Sequence, residues 1–265
     1  MRILFIGDVF SKAGRRAVSH FLPLLVRERG VDFVVANVEN LSGGKGVDQE
    51  RFREVLKCGV HVGTTGNHVW QNKDVFSFID QEPRLVRPAN FPEPNPGRGW
   101  TIQRSADGTP VAVINLVGRI FMAPNDCPFR RIDAVLAELD RQPEPVRVRL
   151  LDFHAEATSE KQALSYYLDG RVSAVLGTHT HVQTADERIL PRGTAAISDV
   201  GMTGPHDSVI GVVKETIIEH FYSGRPAGFT PAKRDARLHG ALLEVNAATG
   251  RATAIERIAL VMNED

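Results

Sequence analysis

One pattern constrains this chain more than any other. Five times, a short apolar run stops on a residue able to hold a metal ion or a phosphate. Residues 2–6 end in Gly7-Asp8, residues 31–38 in Glu39-Asn40, and residues 60–65 in Gly66-Asn67-His68. Residues 146–153 end in His154, and residues 172–176 run into Gly177-Thr178-His179-Thr180-His181. Continuous apolar runs of this length read as strands buried on both faces, as in a parallel sheet. In open α/β sheets the ligand crevice lies beyond the carboxyl ends of the strands. Four of the nine histidines fall at such ends, while His20, His61, His206, His220 and His239 do not and read as ordinary.

Helical periodicity fills the gaps. Residues 14–29 carry Val18, Phe21, Leu22, Leu25 and Val26 on one face. Pro23 inside that stretch predicts a kink or a later start, and Gly30 closes it. Further helices are expected over 48–57, 74–79, 132–139, 158–168 with Thr158 or Ser159 as cap, and 209–221. Residues 83–99, rich in Pro and Gly, read as a long ordered loop. Hairpins are expected for 100–104 with 111–117 around Asp107-Gly108, and for 241–245 with 252–259; a short strand over 195–198 precedes Asp199. The fold class that follows is α/β, with a largely parallel core, added antiparallel strands and one domain spanning 1–265. The 42% hydrophobic content of 265 residues suffices for one substantial core.

Charge narrows the function. Lys+Arg and Asp+Glu are 32 each, so no bulk electrostatic grip on nucleic acid and no extended nucleic-acid groove are expected. Cys58 and Cys127 stand outside any Cys-x-x-Cys pair, which predicts a reducing compartment without a disulfide. The opening apolar run is broken by Gly7-Asp8, and no run approaches membrane-spanning length. A cytoplasmic protein is expected.

The strand-end residues each have a plain alternative. Asp8 could cap the next helix, Asn40 and Asn67 could serve turns, and His154 could be a core histidine. Glu39 is harder to explain, because a carboxylate straight after a buried strand needs a partner. The spacing of His179 and His181 would put both imidazoles on one side of an extended chain. Jointly, three histidines, two carboxylates and one or two amide oxygens exceed the needs of one ion. Such a mixed N/O set suits two bridged divalent ions such as Mn, Fe or Zn. A pair of ions about 3.5–4 Å apart clamps a phosphate and activates water. His68 is then free to act as an acid. The loop Gly43-Gly44-Lys45-Gly46 lacks the Walker A spacing, though its N–H groups and Lys45 could approach phosphate.

These motifs resemble the calcineurin-like metallophosphoesterase superfamily, in order over residues 7–181. Two departures stand out: Phe10 where Asp-x-His would have its histidine, and Val38-Glu39-Asn40 in place of Gly-Asp-x-x-Asp. Both are similar to a bacterial subfamily of cyclic-nucleotide phosphodiesterases, as are IGDVF, the VENxxGGxG segment and GTHTHVQTAD, over nearly the whole chain. The resemblance implies a four-layer αββα sandwich of two mixed sheets flanked by helices. It implies that Glu39 bridges two ions, that Asp8, Asn40 and His181 complete one site, and that Asn67, His154 and His179 complete the other. Fe or Mn is implied ahead of Zn, and Asn40 could bind phosphate instead, as could Lys45. The implied reaction is hydrolysis of a 2′,3′- or 3′,5′-cyclic nucleotide by in-line attack of a metal-bound hydroxide, with His68 as general acid. Rival readings are a nuclease or broad phosphatase on the same centre, and a metal-bearing regulatory or RNA-metabolism binding protein. A homo-oligomer is allowed.

Overall fold

The computed structural model describes residues 1–263. The chain opens with strand β1 (Arg2–Ile6), turns at Gly7, and at once makes a two-residue strand, β2 (Asp8–Val9), before helix α1 (Ser11–Arg29). Then come β3 (Phe33–Asn37), α2 (Gln49–Lys57), β4 (Val62–Thr64), 3₁₀ turns at Val69–Gln71 and Lys73–Ser77, and β5 (Leu85–Val86). A hairpin of β6 (Trp100–Arg104) and β7 (Pro110–Val117) leads to α3 (Pro128–Asp140), β8 (Val148–His154), α4 (Thr158–Tyr167) and β9 (Ala174–Thr178). The chain ends with β10 (Arg188–Ile189), β11 (Ala195–Ile197), β12 (Met202–Pro205), α5 (Lys214–Ser223), β13 (Ala236–Val245) and β14 (Ala252–Val261).

Two mixed sheets result. In the first, β1, β3, β4 and β5 run parallel, and β13 joins them antiparallel at β1 while also pairing β12 and β14. In the second, β7, β8, β9 and β11 run parallel, with β6 and β10 as antiparallel edges. Period-two alternation sorts the side chains into layers. Leu4, Ile6, Val34 and Ala36 pack on Val18 and Leu22 of α1 and Phe52 of α2. Ile3, Phe5, Phe33 and Val35 share a core with Val148, Leu150, Ala174 and Leu176 of the opposite sheet. Leu151, Phe153 and Val175 pack on Ile132 and Val135 of α3 and Leu164 of α4. The order is helix, sheet, sheet, helix, the expected sandwich. Full burial of each such Val, Leu, Ile or Phe side chain contributes roughly 1.5–3 kcal/mol.

The details depart from expectation in several places. Helix α1 starts three residues early and stays continuous through Pro23, which lies on its exposed face. Residues 73–77 form a 3₁₀ turn, where an α-helix was expected. The Pro-rich loop contributes β5. Helix α4 has Ala157 at its N-cap with no side-chain cap bond, so neither Thr158 nor Ser159 caps it. Helix α5 starts late because Val209 and Val212 bond to each other and the Val213 N–H donates to Thr230 O at 2.9 Å. Cys58 and Cys127 are free thiols, and among the described residues no helix is long and apolar enough to cross a membrane.

Candidate metal and active site

The parallel strands of both sheets deliver their carboxyl ends to one rim. Asp8 arrives there through β2, which pairs with β12 at Met202. It does not cap α1, whose N-cap is Phe10. Asp8 is fully buried; its Oδ2 accepts the His179 N–H at 3.2 Å, while its Oδ1 has no hydrogen-bond partner among the described residues. Glu39, 1% exposed, accepts the His68 N–H at 3.0 Å through Oε2. Gly66 lies against the imidazole of His154, and a Cβ there would come within 2.2 Å of the ring.

The histidine pair is not extended, contrary to the spacing argument. Strand β9 stops at Thr178, and His179 and His181 take φ values of 102° and 66°. Left-handed backbone at two non-glycine residues costs of order 1–3 kcal/mol each and persists only where neighbours hold it. Asp199 supplies that hold: it accepts the Thr180 N–H at 3.0 Å and the Thr180 hydroxyl at 2.8 Å. Lys161 of α4, itself buried, donates to the same carboxylate at 2.8 Å. The two imidazoles therefore separate, His179 towards His154 and His181 towards Asp8 and Asn40.

Hydrogen bonding decides which nitrogen of each ring faces inward. The His179 Nε2 lies 3.0 Å from Glu156 Oε2, which can only accept, so Nδ1 is bare. The Thr178 hydroxyl donates to Asp152 at 2.7 Å and so accepts from His154 Nδ1 at 2.9 Å, turning His154 Nε2 to the centre. That nitrogen is 3.2 Å from Glu39 Oε1, 2.9 Å from Asn67 Oδ1 and 3.0 Å from His179 Nδ1. Three of these four atoms are acceptors, and the fourth, His154 Nε2, becomes one when the ring gives up its second proton to a cation. One proton on His154 serves only one of its three neighbours, whereas a cation at their centre serves all four. Glu39, His154 and His179 indeed form a group with ligand atoms within 4.8 Å of one another.

A second cluster adjoins the first. His181 Nδ1 donates to Ile210 O at 2.9 Å, leaving Nε2 to face Asp8 Oδ1 at 3.9 Å. Asn40 sits between histidines. Its amide nitrogen is 3.3 Å from His181 Nε2, and its Oδ1 is 3.1 Å from His68 Nδ1. Lys45 stands apart, with its ammonium 4.3 Å from the ring centroid of Phe229. In its loop Gly44 packs on Phe10, where a Cβ would meet that ring at 2.6 Å, while Gly46 lies against Asn72.

The electrostatics agree with a site built for positive charge. Burial holds the Asp8 carboxyl well above its usual range. Burial also pushes Glu39 upward, but His154 and His68 outweigh it and leave that carboxyl well below its usual range. Burial alone would discharge His154; the charges and hydrogen bond of Glu39, then Asp8 and Asp152, reverse this and raise it to about 9. Burial and then the charge of His154 lower His179 to about 3, so it stays neutral.

Every strand-end residue singled out from the sequence reaches this rim. The supporting residues Asp152, Thr178, Lys161, Asp199 and Glu156 were not singled out. Asp152 had a signal, since it falls two residues before His154 on the same strand face amid apolar neighbours. Lys161 had one too, sharing a helical stripe with Leu164 and Leu168. Glu156 had none.

A four-layer sandwich whose strand ends carry such a cluster fits the metallophosphoesterase class. The family model described as YmdB-like protein matches residues 4–258. The chain belongs to this family of calcineurin-like metallophosphoesterases. It is 48% identical over 265 residues to the 2′,3′-cyclic-nucleotide 2′-phosphodiesterase of Bacillus subtilis (strain 168), covering 100% of this chain and 98% of that one. A hypothetical protein from Thermus thermophilus superposes with a TM-score of 0.92 at 44% identity, over 99% of this chain and 100% of its own. A phosphatase from Mycoplasma pneumoniae gives 0.92 at 35% identity, over 98% and 93%. The chain is a phosphoric diester hydrolase.

Proposed function

We propose that the protein is a dinuclear metal-dependent phosphodiesterase that opens 2′,3′-cyclic nucleotides, with the whole chain acting as one catalytic domain. The observation that carries this is the meeting of four atoms able to ligate a cation, from Glu39, Asn67, His154 and His179, with the second nitrogen of each imidazole already committed. These four residues would hold one ion. Asp8, Asn40 and His181, with Glu39 shared, would hold the other, and the unpartnered Asp8 Oδ1 fits that role. A donor set of nitrogen and oxygen without thiolate suits Mn or Fe. When bound, the ions supply positive charge against the phosphate and lower the pKa of water.

The chain's own groups do the rest. Asn40 Oδ1 accepts from His68 Nδ1, so in the doubly protonated ring Nε2 is the nitrogen that gives a proton to the departing ribose oxygen. Water adds to phosphorus, the P–O2′ bond breaks, O2′ takes the His68 proton, and the proton shed by the water restores His68, giving a 3′-nucleotide. The name of the Bacillus subtilis relative favours this bond over the 3′,5′ alternative. The two free cysteines fit a cytoplasmic setting.

Metal analysis with a phosphodiester panel on wild type and Asp8→Asn tests the reading. Wild type should carry two equivalents of Mn or Fe and turn over 2′,3′-cyclic AMP ahead of 3′,5′-cyclic AMP and a monoester. Asp8→Asn should lose about one equivalent and on the order of 10²-fold in kcat. Full turnover in a metal-stripped wild type would defeat it.

A further inference from the structure

We propose that the cavity beside this cluster is the base-binding subsite of the nucleotide, with Phe229 as its stacking face and Lys45 as its cationic edge. The proposal rests on the cyclic-nucleotide reading above. The cavity, of about 330 Å³, shares Asn40, His68 and His181 with the polar cluster. Its remaining walls include Phe10, Ile210, Val212, Phe229 and Pro231. A phosphate needs no such wall. Ile210 and Phe229 are 56% and 57% exposed, so two large apolar side chains stand in water beside a charged centre. Exposed apolar surface lining a concave site marks ligand contact.

The wall is fixed relative to the cluster by the backbone. Ile210 lines the cavity, and its carbonyl holds His181 Nδ1 at 2.9 Å. Next to it, Gly211 (φ 99°) lies against the Phe10 ring, where a Cβ would come within 2.8 Å. The segment carrying Phe229 is tied to this one by Val213 N–H to Thr230 O at 2.9 Å and Ala232 N–H to Gly211 O at 2.8 Å. In a cyclic nucleotide the base lies one sugar ring from the phosphate. With the phosphate on the cluster, the base falls beside it, against the Phe229 ring, and moves the Lys45 ammonium from its place 4.3 Å from the ring centroid to the base edge. A ribose, with its hydroxyls, would match neither. Stacking on Phe229 tolerates any base, while Lys45 can donate to base acceptors.

The test uses the full-length protein with Mn²⁺, as wild type, Phe229→Ala and Lys45→Met. Phe229 is largely exposed, so its truncation removes little core, and circular dichroism checks the fold. Calorimetric titration compares adenosine 3′-phosphate with inorganic phosphate; kinetics compare 2′,3′-cyclic AMP with glycerol 1,2-cyclic phosphate, a base-free analogue. Phe229→Ala should weaken adenosine 3′-phosphate roughly tenfold more than phosphate, and raise KM for the cyclic nucleotide roughly tenfold more than for the analogue. Discrimination in binding by a wild type that turns over neither diester would uphold the subsite and defeat the catalytic reading. An adenosine preference unchanged by Phe229→Ala overturns the subsite, whatever the turnover. If Lys45→Met weakens phosphate as much as adenosine 3′-phosphate, Lys45 is a phosphate contact and its place at the base edge is overturned.

Discussion

Each imidazole of the cluster is aimed by the nitrogen it does not offer. Glu156 fixes His179, Thr178 fixes His154, and Ile210 O fixes His181. Partners of this kind set tautomer and ring orientation as firmly as the ligand atoms themselves. His68 differs, because its side chain is 29% exposed and its Nδ1 is engaged by Asn40. His68→Ala should therefore lower kcat by roughly 10²–10⁴-fold, the usual worth of a positioned acid, with metal content unchanged. Loss of metal in that variant would make His68 a ligand. Gly66→Ala tests the opposite case. The added methyl must displace the His154 ring it would meet at 2.2 Å. Metal content measured on the folded variant should fall; retention of both ions would show that the ring can give way harmlessly.

At the scale of elements, helix α4 and the turn after β9 act together. Lys161 and Asp199 are 4% and 1% exposed at their side chains, and the pair braces Thr180 between the two left-handed histidines. Removing one partner of a buried pair strands the other charge and costs roughly 3–5 kcal/mol. Lys161→Met should lower the urea midpoint accordingly and weaken metal binding through the turn. An unchanged midpoint would mean that Asp199 is satisfied by Thr180 and Gly201 alone. This brace also marks where sequence reading stopped. The candidate ligand residues were legible because each falls at or just beyond the end of an apolar run, a position that local pattern reveals. The left-handed turn was not, since the spacing of His179 and His181 says extended and only Asp199, well downstream in the chain, says otherwise. Strand β2 escaped for the same reason: two residues form a strand only because β12 lies beside them.

Across the whole molecule, the largely parallel, helix-covered core was legible from the apolar runs, because strands apolar on both faces must be covered on both. The division into two sheets was not, since a single doubly wound sheet covers its strands equally well, and the four layers were expected only from the resemblance. The sheet order was not legible, because β13 pairs β1 through Ile3 with Leu243 and Phe5 with Ala241, contacts that no local pattern encodes. The same strand carries a proton-linked cost for the fold. His239 of β13 is held neutral down to about 4, by burial first, then by the charges of His206 and Arg237, with Asp235 opposing. Its ring lies 4.4 Å from that of His206, which burial also lowers. In the unfolded chain such a histidine titrates near about 6.5. Above that pH both states are neutral here and the residue costs nothing. Between about 6.5 and 4 the unfolded chain takes the proton and the folded chain does not, so stability falls as pH falls. The loss should reach about 1–2 kcal/mol once the solvent reaching the ring is allowed for. Urea midpoints of wild type and His239→Gln at about pH 7.5 and 5 isolate the effect from the metal cluster, whose histidines are common to both. Wild type should lose more than the variant over this interval, and parallel losses would show that His239 is protonated in the folded state.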